Sequence, residues 1–169
     1  FLPLKKLKIK NDLSQDYFVN SHWAIYCDNF LEGFHVPYVH NGLNNVLDYN
    51  NYKTEIYKNF NLQIGFSKNK EECFQFPKNH EDYGKKIAAF YYWIFPNIML
   101  NIYPWGISLN VVCPINMSKT KVLFRSYVLD SSKLNNGASE DLNRVESEDE
   151  KIVENVQKGI NSSFYSSGR

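Results

Sequence analysis

The chain has 169 residues, of which 43% are hydrophobic and 22% charged, and its formal net charge is +1. This length is enough for one well-buried core and too short for two comfortable ones. The balanced charge, without a basic stripe, argues against a nucleic-acid or membrane-surface partner. No apolar run reaches the roughly 18 residues that cross a bilayer. Aromatic residues make up 16% of the chain and predict a large core or a cavity walled by rings.

The first residues and the cysteines predict a cytoplasmic fragment of a longer polypeptide. The chain starts at Phe1 without Met and without a signal-peptide pattern. Its three cysteines, Cys27, Cys73 and Cys113, are odd in number and form no C-x-x-C pair, so reduced thiols are expected rather than a disulfide framework. None lies two residues from a histidine, and the chain therefore does not itself supply the ligands of an iron–sulfur cluster.

A first helix is predicted over residues 20–35, with Asn20 or Ser21 as its N-cap. Gly33 weakens the end of this helix and Pro37 forbids its continuation. The apolar residues recur every three or four positions and form one stripe: Trp23, Tyr26, Cys27, Phe30, Leu31 and Phe34.

The middle of the chain has the pattern of an antiparallel sheet. Residues 53–66 contain two short strands, and residues 67–86 are charged and irregular, which predicts a surface excursion. Residues 87–129 are β-branched and aromatic, with turn signals at Pro96 and Pro104. Strands joined by such short turns predict an antiparallel meander.

A final helix is predicted from a capping box at Ser147–Glu150, after a polar stretch over residues 131–146 that has no clear pattern. Its buried stripe is expected to contain Ile152, Val153, Val156 and Ile160. The complete pattern predicts an α+β fold, in which helices pack against one face of an antiparallel sheet of about five or more strands.

Asp149 lies on the apolar face of this last helix, where a carboxylate without a partner is costly. Two explanations stay open at this point. An acid in a first helical turn interacts favourably with the helix dipole, and a buried acid can also bind a metal ion.

Two histidines close to an acid indicate a second candidate for metal binding. Asn29, Glu32 and His35 are spaced three apart and line one stripe of the first helix, while His40 follows Pro37 and can fold back towards His35. Two imidazoles and one carboxylate with open positions are typical of non-haem Fe(II) sites that activate O2. Zinc accepts similar ligands, although the H-E-x-x-H pattern of hydrolytic zinc sites is absent. Ordinary surface or core histidines also explain such a pair.

Three motifs resemble the ring-hydroxylating, Rieske-type oxygenase α subunits. Asp28–Leu43 resembles their D/E-x-x-H-x-x-x-x-H segment, Phe95–Tyr103 their F-P-N-x-x-x-N strand, and Glu148–Gly159 their E-D-x-x-x-x-E-x-x-Q-x-G helix. The lead-in to the first motif is similar to N-W-K-x-x-x-[ED]-N, with His22 and Ala24 in place of Asn and Lys. The residues of the three motifs most closely resemble those of the choline monooxygenase-like branch.

The resemblance implies a helix-grip fold, in which the sheet curls around the C-terminal helix and leaves a substrate cavity between them. It makes His35, His40 and Asp149 the ligands of a mononuclear Fe(II). Glu32 matches the acid that links the iron to the Rieske cluster of a neighbouring subunit, and Asn29 matches an amide near the iron.

The resemblance also implies partners that the chain lacks. Electrons come from NAD(P)H through a reductase and a Rieske [2Fe-2S] cluster, and O2 is the oxidant. No residues match the cluster's C-x-H and C-x-x-H pairs, so residues 1–169 are interpreted as one catalytic domain without its Rieske domain. The isolated domain is then expected to be inactive, and the family's homotrimer is a further expectation.

The implied substrate is a small organic molecule, either an aromatic ring or the N-methyl group of a quaternary amine. Five rings form a possible cation–π cage or part of the sheet core: Tyr91, Tyr92, Trp93, Tyr103 and Trp105. A second hypothesis stays open, because helix-grip domains also serve as metal-free carriers of small ligands in the same cavity.

Overall fold

The computed structural model describes residues 2–68, 73–134, 138 and 142–166. Strands and helices follow in the order β1 (Lys8–Val19), α1 (Trp23–Leu31), α2 (Val36–Val39), α3 (Asn41–Val46), β2 (Lys53–Ile56), β3 (Phe60–Phe66), β4 (Ile87–Ile94), β5 (Ile98–Tyr103), β6 (Gly106–Asn116), β7 (Lys119–Val128) and α4 (Leu142–Ile160). Three short 3₁₀ turns cover Leu4–Lys6, Tyr49–Asn51 and Ser131–Lys133.

The strands in the described residues form one seven-stranded sheet in the order β1-β7-β6-β5-β4-β3-β2. Every neighbouring pair is antiparallel, so the predicted meander is confirmed from β2 to β7. Strand β1, which pairs with β7 and forms one edge of the sheet, was not predicted from the sequence. Within β1 only Val19 is buried, and a mostly exposed edge strand lacks the alternation that reveals a half-buried one.

Helices α1 and α4 pack together against one face of the sheet, as predicted. Tyr26 and Cys27 of α1 share a buried cluster with Val153 of α4 and with Val112 and Val122 of β6 and β7. This arrangement confirms the α+β class with a long C-terminal helix. No helix in the described part of the chain is long and apolar enough to span a membrane.

Helix α1 is shorter than predicted at both ends. His22 is its N-cap, and the His22 ring accepts a hydrogen bond from Ala24 N at 3.2 Å, so the expectation of Asn20 or Ser21 was wrong. The helix ends at Leu31, and the backbone at Glu32 is extended. Glu32 and His35 therefore follow the helix rather than lying on it.

Helix α4 begins at Leu142, one and a half turns before the predicted capping box. Ser147 is an exposed residue inside this helix, so the predicted start was wrong. The expected apolar stripe is buried only in part, because Val153 is 1% exposed while Val156 and Ile160 are 43% and 37% exposed. The early start adds more than a full turn in front of the predicted capping box, and that turn carries Glu146.

The charged stretch 67–86 is not merely a surface excursion. Phe74 and Phe76 are buried and pack against Phe90, in a cluster that also contains Leu62 and Ile64 of β3. Residues 69–72 of this stretch, and residues 135–137 and 139–141 of the polar stretch before α4, lie outside the described residues.

Candidate metal centre and cavity

His35, His40 and Asp149 bring three potential ligand atoms together at the cavity beneath α4. The two Nε2 atoms lie 3.2 Å apart. Asp149 Oδ1 is 3.1 Å from His40 Nε2 and 3.4 Å from His35 Nε2. The atoms form a nearly equilateral triangle, which fits one face of a coordination sphere.

Two short helices present the imidazoles. His35 is the N-cap of α2, and Pro37 sits in the first turn of that helix, where its missing N–H costs nothing. His40 lies at the junction of α2 and α3, with φ −102° and ψ 73°. This junction turns the His40 ring back to His35, as the sequence analysis predicted. The imidazole of His40 is 2% exposed, and Asp149 is 18% exposed.

Each candidate ligand has an outer hydrogen-bond partner. His35 Nδ1 donates to Glu32 Oε1 at 2.6 Å, and His40 Nδ1 donates to Glu148 Oε2 at 2.8 Å. Carboxylates on the second nitrogen fix the orientation of metal-binding imidazoles and raise their basicity. The sequence analysis did not assign Glu148, although its position beside Asp149 in the E-D motif was a signal.

Asn29 has the position expected of it near the candidate metal site. Its Nδ2 donates to Asp149 Oδ1 at 2.7 Å, and thus joins the last turn of α1 to α4. Glu32 also accepts hydrogen bonds from the backbone N–H groups of Phe34 and His35. These bonds hold Glu32 at the turn between α1 and α2, where it orients His35.

The electrostatics of the cluster favour positive charge at its centre. Burial raises the pKa of Asp149, but hydrogen bonds and charge from His35 and His40 outweigh burial and lower this pKa to about 2. Burial disfavours protonation of both imidazoles, yet Asp149 raises the pKa of each, assisted by Glu32 at His35 and by Glu148 at His40. A divalent cation bound at the triangle replaces those protons.

The three donor atoms fit a divalent metal ion. Bonds of about 2.1 Å at right angles separate neighbouring ligands by about 3 Å, close to the distances of 3.1 to 3.4 Å observed here. Two imidazoles and one carboxylate on one face leave the opposite positions free for other molecules. This donor set is the one that non-haem Fe(II) takes.

A cavity extends from the triangle between the helices and the sheet. Five rings line it: Tyr26, Phe30, Tyr52, Tyr91 and Tyr103. Of the rings considered for a cage, Tyr91 and Tyr103 thus line the cavity, whereas Tyr92, Trp93 and Trp105 do not. Trp105 stacks behind Tyr103 with ring centroids 5.4 Å apart.

A row of polar side chains from β3, β5 and β6 faces the same cavity: Gln63, Asn101, Ser108 and Asn110. In β6 the polar residues Ser108 and Asn110 are buried, while Leu109 and Val111 on the other face are half-buried. Polar residues on the buried face of a strand are unusual. The alternation of Ser108 and Asn110 with Leu109 and Val111 predicts a strand, but ordinary burial preferences would place the apolar residues on its buried face.

Glu146 is a second buried acid that the sequence analysis missed. It is 8% exposed, and it accepts hydrogen bonds from Tyr26 Oη at 2.7 Å and Asn110 Nδ2 at 3.0 Å. Burial raises the pKa of Glu146 to about 7, and the nearby charge of Asp149 adds to this rise. Glu146 lies one helical turn before Asp149, on the cavity side of α4.

The fold and the cluster define a class, the helix-grip domains whose cavity adjoins a two-histidine, one-carboxylate triangle. Residues 7–169 match the family model of the ring hydroxylating alpha subunit catalytic domain. The chloroplastic choline monooxygenase of Arabidopsis thaliana is 36% identical over 164 residues, which cover 92% of this chain and 36% of that protein. The chain therefore belongs to the ring-hydroxylating α-subunit family, in its catalytic domain, and the predicted resemblance is confirmed.

Further relatives agree on the branch and on the fold. The oxygenase subunit of carnitine monooxygenase from Escherichia coli K12 is 29% identical over 153 residues, covering 86% of this chain and 39% of that protein. The structure of a quaternary ammonium Rieske monooxygenase with L-carnitine aligns at a TM-score of 0.72 and 21% identity, covering 96% of this chain and 41% of that one. Naphthalene 1,2-dioxygenase from Rhodococcus sp. aligns at a TM-score of 0.67 and 14% identity, covering 94% of this chain and 46% of that one. The chain spans about a third of the length of the curated relatives.

Proposed function

We propose that this chain is the catalytic domain of a Rieske-type non-haem iron monooxygenase that oxidises a small quaternary amine. The observation that carries the proposal is the triangle of His35 Nε2, His40 Nε2 and Asp149 Oδ1, with sides of 3.1 to 3.4 Å. The names of the relatives, choline and carnitine monooxygenases, support the substrate class.

His35, His40 and Asp149 hold Fe(II) in this proposal. The bound iron supplies reductive activation of O2. Hydrogen bonds hold the three ligand side chains in place: Glu32 orients His35, Glu148 orients His40 and Asn29 orients Asp149.

The cavity residues bind the substrate and exclude water. The Tyr91 ring centroid lies 6.5 Å from that of Tyr52 and 6.0 Å from that of Tyr103 along the wall, a spacing that suits a cage for a methylated ammonium group. An apolar wall next to the metal site also keeps bulk water away from reactive oxygen species.

Glu32 has two roles in the proposal. It orients His35, and its carboxylate, with 32% of the side chain exposed, would link the iron site to a Rieske cluster on a neighbouring subunit. The electrons would come from NAD(P)H through a reductase and that cluster, in a homotrimer. The Rieske domain lies outside these 169 residues, and turnover by the domain alone is not expected. The cytoplasmic location stays a prediction, because the plant relatives are named chloroplastic.

Metal analysis tests the proposal most directly. The purified chain is stripped with a chelator, reloaded with Fe(II) without oxygen, and its bound metal is measured. We expect one iron per chain, and loss of that iron in His35→Ala and in Asp149→Ala. His22→Asn is the matched control, because His22 lies outside the triangle and Asn can also cap a helix.

The metal-free carrier is the alternative outcome of this experiment. A wild-type chain that binds no iron after reloading, but still binds a small ligand in its cavity, contradicts the oxygenase. Iron that both ligand variants retain contradicts the assignment of the ligands. Zinc or nickel found before chelation decides neither question, since such sites accept several divalent metals.

A further inference from the structure

The buried charge of Glu146 has no positive partner among the described residues that line the cavity. Its two hydrogen-bond donors, the Tyr26 hydroxyl and the Asn110 amide, are both neutral. The other two cavity carboxylates, Glu32 and Asp149, each face an imidazole. No lysine or arginine lines the described part of the cavity. A buried charge without a counter-charge is costly, so Glu146 is poised for a cation from outside the chain.

Two buried acceptors without hydrogen-bond partners belong to residues that line the same cavity as this carboxylate. Asn110 donates its Nδ2 to Glu146 Oε1, and Asn110 Oδ1 is then left buried without a hydrogen-bond partner. Asn101 Oδ1 is likewise buried and unpartnered, while Asn101 Nδ2 donates to Ser108 Oγ at 3.1 Å. The two asparagines are 2% and 6% exposed. Buried acceptors of this kind require a donor, and a substrate hydroxyl provides one.

This subsite is close to both the aromatic wall and the metal site. Glu146 precedes Asp149 by three residues of α4, a rise of about 4.5 Å. Tyr91 and Tyr103 line the same cavity as Glu146 and Asp149, and the pKa of Tyr103, raised well above its ordinary range mainly by burial, is raised further by the nearby charges of Tyr91 and Glu146. We therefore expect a small cation bound against these rings to contact the Glu146 carboxylate and to lie beside the candidate metal site.

We propose that Glu146 is the specificity-determining residue of this cavity: with Asn110 and Asn101 it selects hydroxyl-bearing cations and rejects substrates that carry a carboxylate. A zwitterion brings a second negative charge into a space that already holds the Glu146 carboxylate, and no lysine or arginine among the described cavity residues compensates for that charge. The inference rests on the proposed function, because it concerns which quaternary amine the same cavity takes.

Four small probes separate the features of the ligand. Choline has the ammonium group and a hydroxyl; tetramethylammonium lacks the hydroxyl; 3,3-dimethylbutan-1-ol is the neutral shape analogue of choline; and L-carnitine adds a carboxylate. Binding is measured by titration calorimetry at about pH 8, where an acid with a pKa near 7 is mostly ionised. We expect choline to bind at least about tenfold more tightly than each of the other three, since one charged or buried polar partner is worth that much.

Glu146→Gln removes the charge while keeping the side-chain shape. We expect it to weaken choline binding about tenfold, with a smaller effect on the neutral analogue, and so to reduce the preference over L-carnitine. Glu154→Gln is the matched control, because it removes one charge from the same helix at a residue that does not line the cavity. This control should leave all four affinities unchanged.

The titrations of the wild-type chain alone can overturn the proposal. The test therefore does not depend on whether a variant folds. L-carnitine that binds as tightly as choline contradicts it, as does choline that fails to bind at millimolar concentration. A preference that survives Glu146→Gln contradicts the role of Glu146, and equal binding of choline and tetramethylammonium contradicts the role of the asparagines.

The same titrations on Fe(II)-loaded and chelator-treated chain distinguish this inference from the proposed function. Iron binding without any preference among the probes overturns only the selectivity. A chain that prefers choline but binds no iron overturns only the oxygenase.

Discussion

At the scale of single residues, the candidate metal centre has an inner triangle and a set of outer carboxylates. The three inner donor atoms lie close together. The Nδ1 atom of each imidazole donates a hydrogen bond to a carboxylate, that of Glu32 for His35 and that of Glu148 for His40. The outer acids come from different places, since Glu32 follows α1 and Glu148 lies on α4. The orientation of His40 therefore depends on a residue more than a hundred positions away.

Glu148→Gln should weaken metal binding while the ligands stay intact. The amide carries no negative charge, so it raises the basicity of His40 less and no longer fixes the ring as firmly. We expect the affinity for Fe(II) to fall by about tenfold, measured by competition with a coloured chelator under nitrogen. Glu154→Gln, on the same helix but remote from His40, should bind iron as the wild type does. An unchanged affinity in Glu148→Gln would show that His40 does not need this partner.

Glu146 should make the stability of the metal-free chain depend on pH. Its pKa in the folded chain is about 7, above the ordinary value of 4.5, so its contribution to stability is fully present below the unfolded value and is lost as the pH rises through 7. The loss is on the order of 3 kcal/mol.

Glu146→Gln has no proton to lose at this position, so its unfolding free energy should not show this pH-dependent loss. We expect the unfolding free energy of the variant, relative to that of the wild type, to increase between about pH 5 and about pH 8. Urea denaturation of both proteins across this range measures the difference. A difference that does not vary with pH contradicts the raised pKa.

At the scale of elements, the turn between β5 and β6 holds the polar wall of the cavity in register. Asn101 of β5 pairs with Ser108 of β6 across this hairpin, and Trp105 O accepts hydrogen bonds from the backbone N–H groups of Leu129 and Asp130. Gly106 follows Trp105 with φ +150°, and a Cβ there would lie 2.2 Å from Tyr127 O. Only glycine fits this close approach of two strands.

Gly106→Ala should destabilise the chain by about 2 to 4 kcal/mol, because it adds both backbone strain and a clash with the neighbouring strand. Gly84→Ala is the matched control: its φ is +80°, but nothing lies within 4 Å of the added carbon, so it should cost about 1 kcal/mol. Urea denaturation measures both. Equal losses in the two variants would show that the strand contact at Gly106 relaxes freely.

At the scale of the whole molecule, the candidate metal site joins two distant parts of the chain. His35 and His40 lie in the segment between α1 and α3, whereas Asp149 lies on α4. Unfolding separates these parts, so an ion that needs all three ligands binds the folded chain only. Metal binding is then linked to folding.

Fe(II) should therefore stabilise the fold. At a free concentration of about 100 times Kd, the expected gain is about 2.7 kcal/mol, visible as a rise in Tm during thermal unfolding under nitrogen. The gain should disappear in His40→Ala and persist in His22→Asn. A wild-type Tm that does not change with Fe(II) argues against a site that spans both segments.

Much of the fold follows from local sequence pattern. The meander from β2 to β7 was predicted because β-branched and aromatic runs alternate with turn residues, and each of those signals lies within a few positions of the strand it defines. The strand β1 and the start of α4 were not predicted, because an exposed edge strand has little alternation and a capping box can occur inside a longer helix. The burial of Phe74 and Phe76 was not predicted either, because charged residues surround them in the sequence.

Local sequence signals were sufficient to identify the residue types of the candidate centre, their E-D and H-x-x-x-x-H spacing and hence the family of the chain. Tertiary contacts, by contrast, place Glu148 against His40, turn Ser108 and Asn110 inward, and bury Glu146 beside the cavity without a positive partner among the described residues. These facts depend on where α4 begins and on which face of β6 it covers. They arise from contacts between residues far apart in the chain, which no local periodicity contains.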